Sequence, residues 1–171
     1  MSLDFNQNAD KSTVFEAVEI FLKEENFTIV NKDDSRPWGG FFVLDENQAE
    51  AFIARFFAHL TMKNFEGFEK LSPKILIVAP NKRLSWQYHH RRAEIWKLIG
   101  GVAGVVISDT DEETGLKNLQ VDDVVELECG QRHRLVGTSG YGIVAEIWQH
   151  TDKTNPSDES DIVRVQDDFG R

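Results

Sequence analysis

Between Ser12 and Glu25 the apolar residues Phe15, Val18, Phe21 and Leu22 recur at steps of three and four, behind the candidate caps Asp10, Ser12 and Thr13. That spacing predicts an amphipathic helix with one buried stripe. A short strand is expected at Phe27–Val30, followed by a turn-rich stretch from Asp33 to Gly40 that leads into Phe41–Leu44. Residues 48–60 return to helical periodicity, with Phe52, Ile53, Phe56, Phe57 and Leu60 on one broad face that needs a surface to cover it.

After Ser72-Pro73 the period shortens. Strands are predicted at Lys74–Ala79, Arg83–His89, Ile95–Ile99, Val102–Ile107, Val124–Leu127 and Ile143–Trp148. Asp109–Lys117 reads as an acidic hairpin tip and Thr151–Ser160 as a polar loop, while the alternating run Asp161–Arg171 offers a last edge strand. Short strands separated by turn signals predict a mainly β sandwich or barrel. With 171 residues, 40% of them hydrophobic, the chain suits one barrel domain over 36–171 with a helical extension over 1–35.

The formal charge of -10 argues against a nucleic-acid or anionic-membrane partner, because such surfaces need clustered Lys and Arg. An anionic ligand must therefore be met by a local basic patch, and Lys82, Arg83, Arg91, Arg92 and Lys97 form one along the sequence. The single cysteine, Cys129, excludes an internal disulfide and fits a reducing compartment. No apolar stretch approaches membrane-spanning length and the first residues lack a signal-peptide pattern, so a cytoplasmic protein is expected.

Residues two apart on a strand share a face, which puts Arg83, Ser85, Gln87 and His89 on one side and Leu84, Trp86 and Tyr88 on the other. The second face needs a cover, either the helix at 48–60 or a second subunit, and a homodimer is one expectation. Glu94 joins the Gln87 and His89 face only if the chain reverses over His90–Ala93. With the distant His133, these residues bring together two imidazoles, a carboxylate and an amide oxygen, donors that suit one divalent Zn, Mn, Fe or Co ion.

The run resembles the first motif of the cupin barrels. Gln87, His89, Glu94 and Gly101 fall on that motif's positions, and Asn81 stands in place of its first glycine. The second motif is matched at Gly130 and His133, with Glu128 where its proline would be. The resemblance narrows to the type II mannose-6-phosphate isomerases, including the isomerase half of enzymes that also carry mannose-1-phosphate guanylyltransferase activity. Three ordered segments carry it: Arg36-Pro37-Trp38-Gly39, the stretch Leu84–Trp96, and Asp161–Arg171. Ile95 stands where that family has a histidine after the motif glutamate, and 48–60 is an inserted helix.

The resemblance implies a cupin double-stranded β-helix (jelly roll) with Gln87, His89, Glu94 and His133 as metal ligands. It also implies interconversion of mannose 6-phosphate and fructose 6-phosphate, with a small sugar phosphate as partner. Such an isomerisation removes a carbon-bound proton beside a carbonyl, and the charge that develops on oxygen needs a positive neighbour, which a metal supplies. Arg92, Arg83, Arg134 and Ser85 are the candidates for handling substrate and its phosphate. Glu146, on the mostly apolar run Val144–Trp148, is either the general base or the partner of Arg134. No glycine-rich phosphate loop precedes Arg36, so nucleotidyltransferase activity is not expected. The alternatives are a non-catalytic cupin that binds a sugar or sugar phosphate, and a cupin enzyme of another class.

Overall fold

A computed structural model describes residues 3–5, 8–67 and 70–171. The chain runs through helix α1 (Lys11–Glu24), strands β1 (Ile29–Asp33) and β2 (Gly39–Leu44), and helix α2 (Ala49–Phe56). It continues through β3 (Lys74–Val78), β4 (Trp86–Tyr88), β5 (Arg92–Ser108), β6 (Lys117–Leu119), β7 (Val124–Leu127), β8 (Arg132–His150) and β9 (Val163–Gln166). β1 is hydrogen-bonded into the sheet through β2, although it lies in the stretch expected as an extension.

The long strands β5 and β8 organise the barrel. They pair antiparallel from Arg92 opposite His150 to Ser108 opposite Arg132, with the register broken between Leu98 and Gly100 and again between Gly101 and Ala103. At the second break the partner jumps from Gly142 to Gly137, so both strands bend and pass from one layer to the other. Gly101 makes this possible: its φ is +68°, and a Cβ there would lie 1.9 Å from the Tyr141 carbonyl oxygen. One layer is β1-β2-β3-β8-β5-β7 and the other β9-β4-β8-β5-β6. The mainly β jelly roll expected from the sequence is present.

Sequence periodicity divided β5 into two strands and missed the first half of β8. The glycines of Gly100-Gly101 and the polar, glycine-rich stretch before Ile143 hide a continuous ladder that cross-strand pairing supplies. Helix α2 ends at Phe56, earlier than the 48–60 pattern suggested, because Phe57 leaves the helical backbone at φ -123°, ψ 53° while remaining fully buried.

Two apolar layers result. The outer one packs Val14, Phe15, Val18, Phe21 and Leu22 of α1 and Phe52, Ile53 and Phe56 of α2 against Phe42, Ile75, Ile77, Ile143, Ala145 and Ile147 of the sheet. The inner one, between the layers of the jelly roll, includes Leu76, Val78, Leu84, Trp96, Leu98, Val105, Leu135 and Val144. Leu84 thus faces inward, contrary to strict alternation, because β4 starts only at Trp86 and carries a bulge between Trp86 and Gln87. Helix α2 does not cover Trp86 and Tyr88. The loop after β5 covers Trp86, whose Nε1 donates to the Asp111 carbonyl oxygen at 2.8 Å, and Arg132 at the start of β8 lays its guanidinium 4.1 Å over the Tyr88 ring. Among the described residues no helix is long and apolar enough to cross a membrane.

Candidate metal centre and its cavity

The reversal expected at His90–Ala93 is tighter, since β5 already begins at Arg92. Asp161, far along the chain and buried, holds it. Its carboxylate accepts the backbone N–H groups of His90 and Arg91, both at 3.0 Å, and the Ser157 hydroxyl at 2.7 Å. Burial alone would raise the Asp161 carboxyl pKa, but the Ser157 hydroxyl and these two amides outweigh it and lower it. The Asp161 carbonyl oxygen accepts from His89 Nδ1 at 2.6 Å. At the other side of the turn the Gly130 N–H donates to the His89 carbonyl oxygen at 2.9 Å, tying the two motifs together.

The bond to the Asp161 carbonyl oxygen sets the tautomer of the neutral His89 ring: Nδ1 carries the proton and the lone pair lies on Nε2. His133 is set the same way, with Nδ1 at 2.9 Å from the Gln131 carbonyl oxygen. Its Nε2 is buried and has no hydrogen-bond partner among the described residues. The two Nε2 atoms lie 3.2 Å and 3.6 Å from separate oxygens of Glu94, and donor atoms of all three residues fall within 4.8 Å of one another. A buried nitrogen left without a partner carries a cost unless something completes it, and a cation among two imidazoles and a carboxylate does so.

Electrostatics suit that role. Burial pushes the His133 imidazole down to about 4, overcoming the pull of Glu94, so it is neutral near pH 7 and able to ligate. Burial works to raise the Glu94 carboxyl, yet its neighbours His89 and Arg92 hold it well below the ordinary carboxylate range. Gln87, opposite His133 in the β4–β8 pairing, accepts the Ser85 hydroxyl on its Oε1 at 2.5 Å.

Arg92 is buried beside these donors. Its Nε donates to Glu94 Oε1 at 2.7 Å and Nη2 to His89 Nε2 at 3.2 Å, while its guanidinium lies 3.7 Å over the Trp148 ring. Glu146 accepts from two indoles, Trp96 Nε1 at 2.9 Å and Trp148 Nε1 at 3.1 Å. Trp96 Nε1 also reaches Glu94 Oε2 at 3.1 Å, so one indole bridges the two carboxyl groups. Burial, reinforced by the negative charge of Glu94, pushes the Glu146 carboxyl up to about 8. Glu146, Glu94, Arg92, Gln87 and Ser85 all line one cavity of about 320 Å³, at the small end of small-molecule sites.

The pairing of Glu146 with Arg134, one of the two expectations for that carboxyl, is not formed. Arg134 is buried elsewhere, donating to the Leu84 carbonyl oxygen at 3.0 Å and to Glu113 and Gln166, both at 2.6 Å. Arg83 does not line the cavity either, because Asp168 takes it through two hydrogen bonds of 2.7 and 2.9 Å. Both arginines tie the C-terminal segment and the loop after β5 to the barrel. Sequence reading missed Lys74, which lines the cavity beside Glu146, ion-paired to Glu159 and 3.9 Å over the Trp148 ring. Its signal is a lone cation in the apolar strand KILIV. It also missed Asp161, whose partners lie about 70 residues away.

Comparison with known proteins fits this picture. Residues 61–167 match the mannose-6-phosphate isomerase C-terminal family, and the chain belongs to that family. No curated protein matches it by sequence. Among solved structures it is similar to the capsular polysaccharide assembling protein CapF from Staphylococcus aureus, with 11% identity and a TM-score of 0.52 over 80% of this chain. It is similar too to a mutant oxalate decarboxylase from Bacillus subtilis, with 16% identity and a TM-score of 0.52 over 78% of this chain. The chain spans 34% and 29% of those proteins' lengths, so the likeness is one of fold, that of a cupin barrel.

Proposed function

We propose that the protein is a metal-dependent sugar-phosphate isomerase that interconverts mannose 6-phosphate and fructose 6-phosphate. One observation carries the reading: a buried carboxyl with a raised pKa, Glu146, faces the same cavity as Glu94 and shares an indole with it. A base with a pKa near neutrality beside a set of metal donors is what proton removal next to a carbonyl requires. Membership of the isomerase family supports the reaction class.

Gln87, His89, Glu94 and His133 would hold the ion, and a divalent metal there would supply Lewis-acid polarisation of the substrate's carbonyl oxygen. Glu146 takes the proton from the carbon beside the carbonyl and returns it to the former carbonyl carbon, while the hydroxyl proton on the first carbon passes to the oxygen of the second. The two indole N–H groups hold its carboxylate in place while it is charged. His89 Nε2 has one lone pair, so as a metal ligand it would no longer accept from Arg92 Nη2, and that N–H would be available to a substrate oxygen. The Ser85 hydroxyl donates to Gln87 Oε1 and so holds the orientation of that amide on the cavity wall.

A coupled assay with mannose 6-phosphate tests the proposal. Turnover is expected, lost on chelation and restored by a divalent ion. Metal and sugar phosphate bound without turnover would leave a binding protein and contradict the isomerase.

A further inference from the structure

Besides His133 Nε2, two buried side-chain atoms have no hydrogen-bond partner among the described residues, Ser72 Oγ and His150 Nε2. The fold fixes the chemical state of the second. The backbone N–H of Ser157 donates to His150 Nδ1 at 2.9 Å, so Nδ1 is an acceptor and the proton of the neutral ring lies on Nε2. Burial, then the positive charge of Lys70, lower the His150 pKa and keep the ring neutral near pH 7. A buried N–H donor is thus left without an acceptor, a state that folded proteins rarely tolerate unless a water or a bound group completes it.

His150 lines a cavity of about 330 Å³ that shares no residue with the one around Glu146. Lys70, before β3, and Lys153, after β8, line it too, and neither forms an ion pair among the described residues. Gly67 makes room for one of them: its φ is +92°, and a Cβ there would lie 2.9 Å from Lys153 Nζ. The two acids of the lining are turned to other partners. Glu46 accepts the backbone N–H groups of Leu71 and Ser72 at 2.5 and 2.8 Å. Asp152 accepts the Thr154 hydroxyl at 2.8 Å and the backbone N–H groups of Thr154 and Asn155 at 2.9 and 3.2 Å. Water alone could solvate the two ammonium groups, but an acceptor that carries negative charge answers them and the buried imidazole N–H together, and an oxyanion offers oxygens in several directions. We propose that His150, Lys70 and Lys153 form a second ligand site, which takes a small oxyanion of the phosphate class and is separate from the metal centre and its cavity.

NMR spectra of the imidazole nitrogens, recorded on the full chain near neutral pH during titration with inorganic phosphate at constant ionic strength, test this. A saturable shift of the His150 Nε2 signal is expected, the signal being assigned by its absence from His150→Gln. The double variant Lys70→Gln/Lys153→Gln should bind phosphate at this signal at least about tenfold more weakly, the loss that removing charged hydrogen-bond partners gives. Its unfolding midpoint and metal content should match the parent's, since both lysines are exposed and lie outside the Glu146 cavity. Phosphate bound in the Glu146 cavity would move His150 equally in the parent and in the double variant, so the comparison separates the two cavities. A His150 signal that stays still would overturn the site, as would a shift that sodium chloride of equal ionic strength reproduces or one that the double variant keeps undiminished.

Discussion

On the outer face of β3 and β8, Ile75, Ile77, Ile143, Ala145 and Ile147 meet the two helices. One residue out of step, Lys74, Glu146 and Trp148 turn inward with Leu76, Val78 and Val144. The same two strands therefore build a dry layer and a reactive one, and the ladder that aligns Lys74 with Glu146 and Glu146 with Trp96 serves both. The dry side depends on volume: Phe52 and Phe56 pack with centroids 4.8 Å apart, and any hydrophobic set of equal shape would serve. The inner side depends on particular atoms, since the buried polar groups lining the cavity have named partners while His133 Nε2 beside them awaits one.

That contrast can be broken at each face. Glu146→Gln keeps the size but cannot take a proton, and its amide oxygen can accept from only one of the two indoles. It should lower kcat by about 10²–10⁴-fold with metal content intact, and near-normal turnover would remove Glu146 from the base role. Phe52→Ala, wholly on the dry side, should cost about 3–5 kcal/mol in denaturant unfolding while the metal stoichiometry of the folded protein stays the same. Loss of metal at full folding would show that the two faces are not separable.

The inner face also leaves a pH signature. Folded Glu146 keeps its proton to about pH 8, whereas the unfolded chain gives it up near 4.5, so metal-stripped protein loses stability as pH rises through that window. Glu146→Gln lacks this slope, and its stability relative to the parent should grow by a few kcal/mol from about pH 5 to about pH 8. A difference that does not change with pH would contradict the buried, protonated carboxyl. Asp161→Asn, which weakens the turn and the carbonyl that orients His89, should lower metal affinity by about 10–100-fold without removing the site. Affinity equal to the parent's would mean that the turn is held by other contacts.

The candidate donors that the fold brings together, His89, Glu94 and His133, were legible in the chain because their spacing is local: His89 and Glu94 flank one tight turn, and His133 sits behind Gly130 in a second. Asn81, where the first motif has glycine, takes a left-handed backbone with φ at 57°, a conformation that Asn adopts more readily than most side-chain-bearing residues. What sequence could not supply lies in long-range pairing. Arg83 and Arg134 sat beside the motifs along the chain, yet Asp168, Gln166 and Glu113 draw them to the opposite side of the wall. Arg164, Arg171 and Lys74 reach the cavity only because β9 and β3 close the barrel around it. Strict alternation failed at Leu84 because the ladder is irregular there, and a period of two holds only where strands pair without a bulge.

The most direct test is elemental analysis of protein purified without chelator, for the parent and for His133→Ala. The account predicts close to one divalent ion per parent chain and far less in the variant, with both folded. A parent that binds no ion from a metal-supplemented medium, or a variant that holds as much as the parent, would contradict the convergence of His89, Glu94 and His133 on a shared cation.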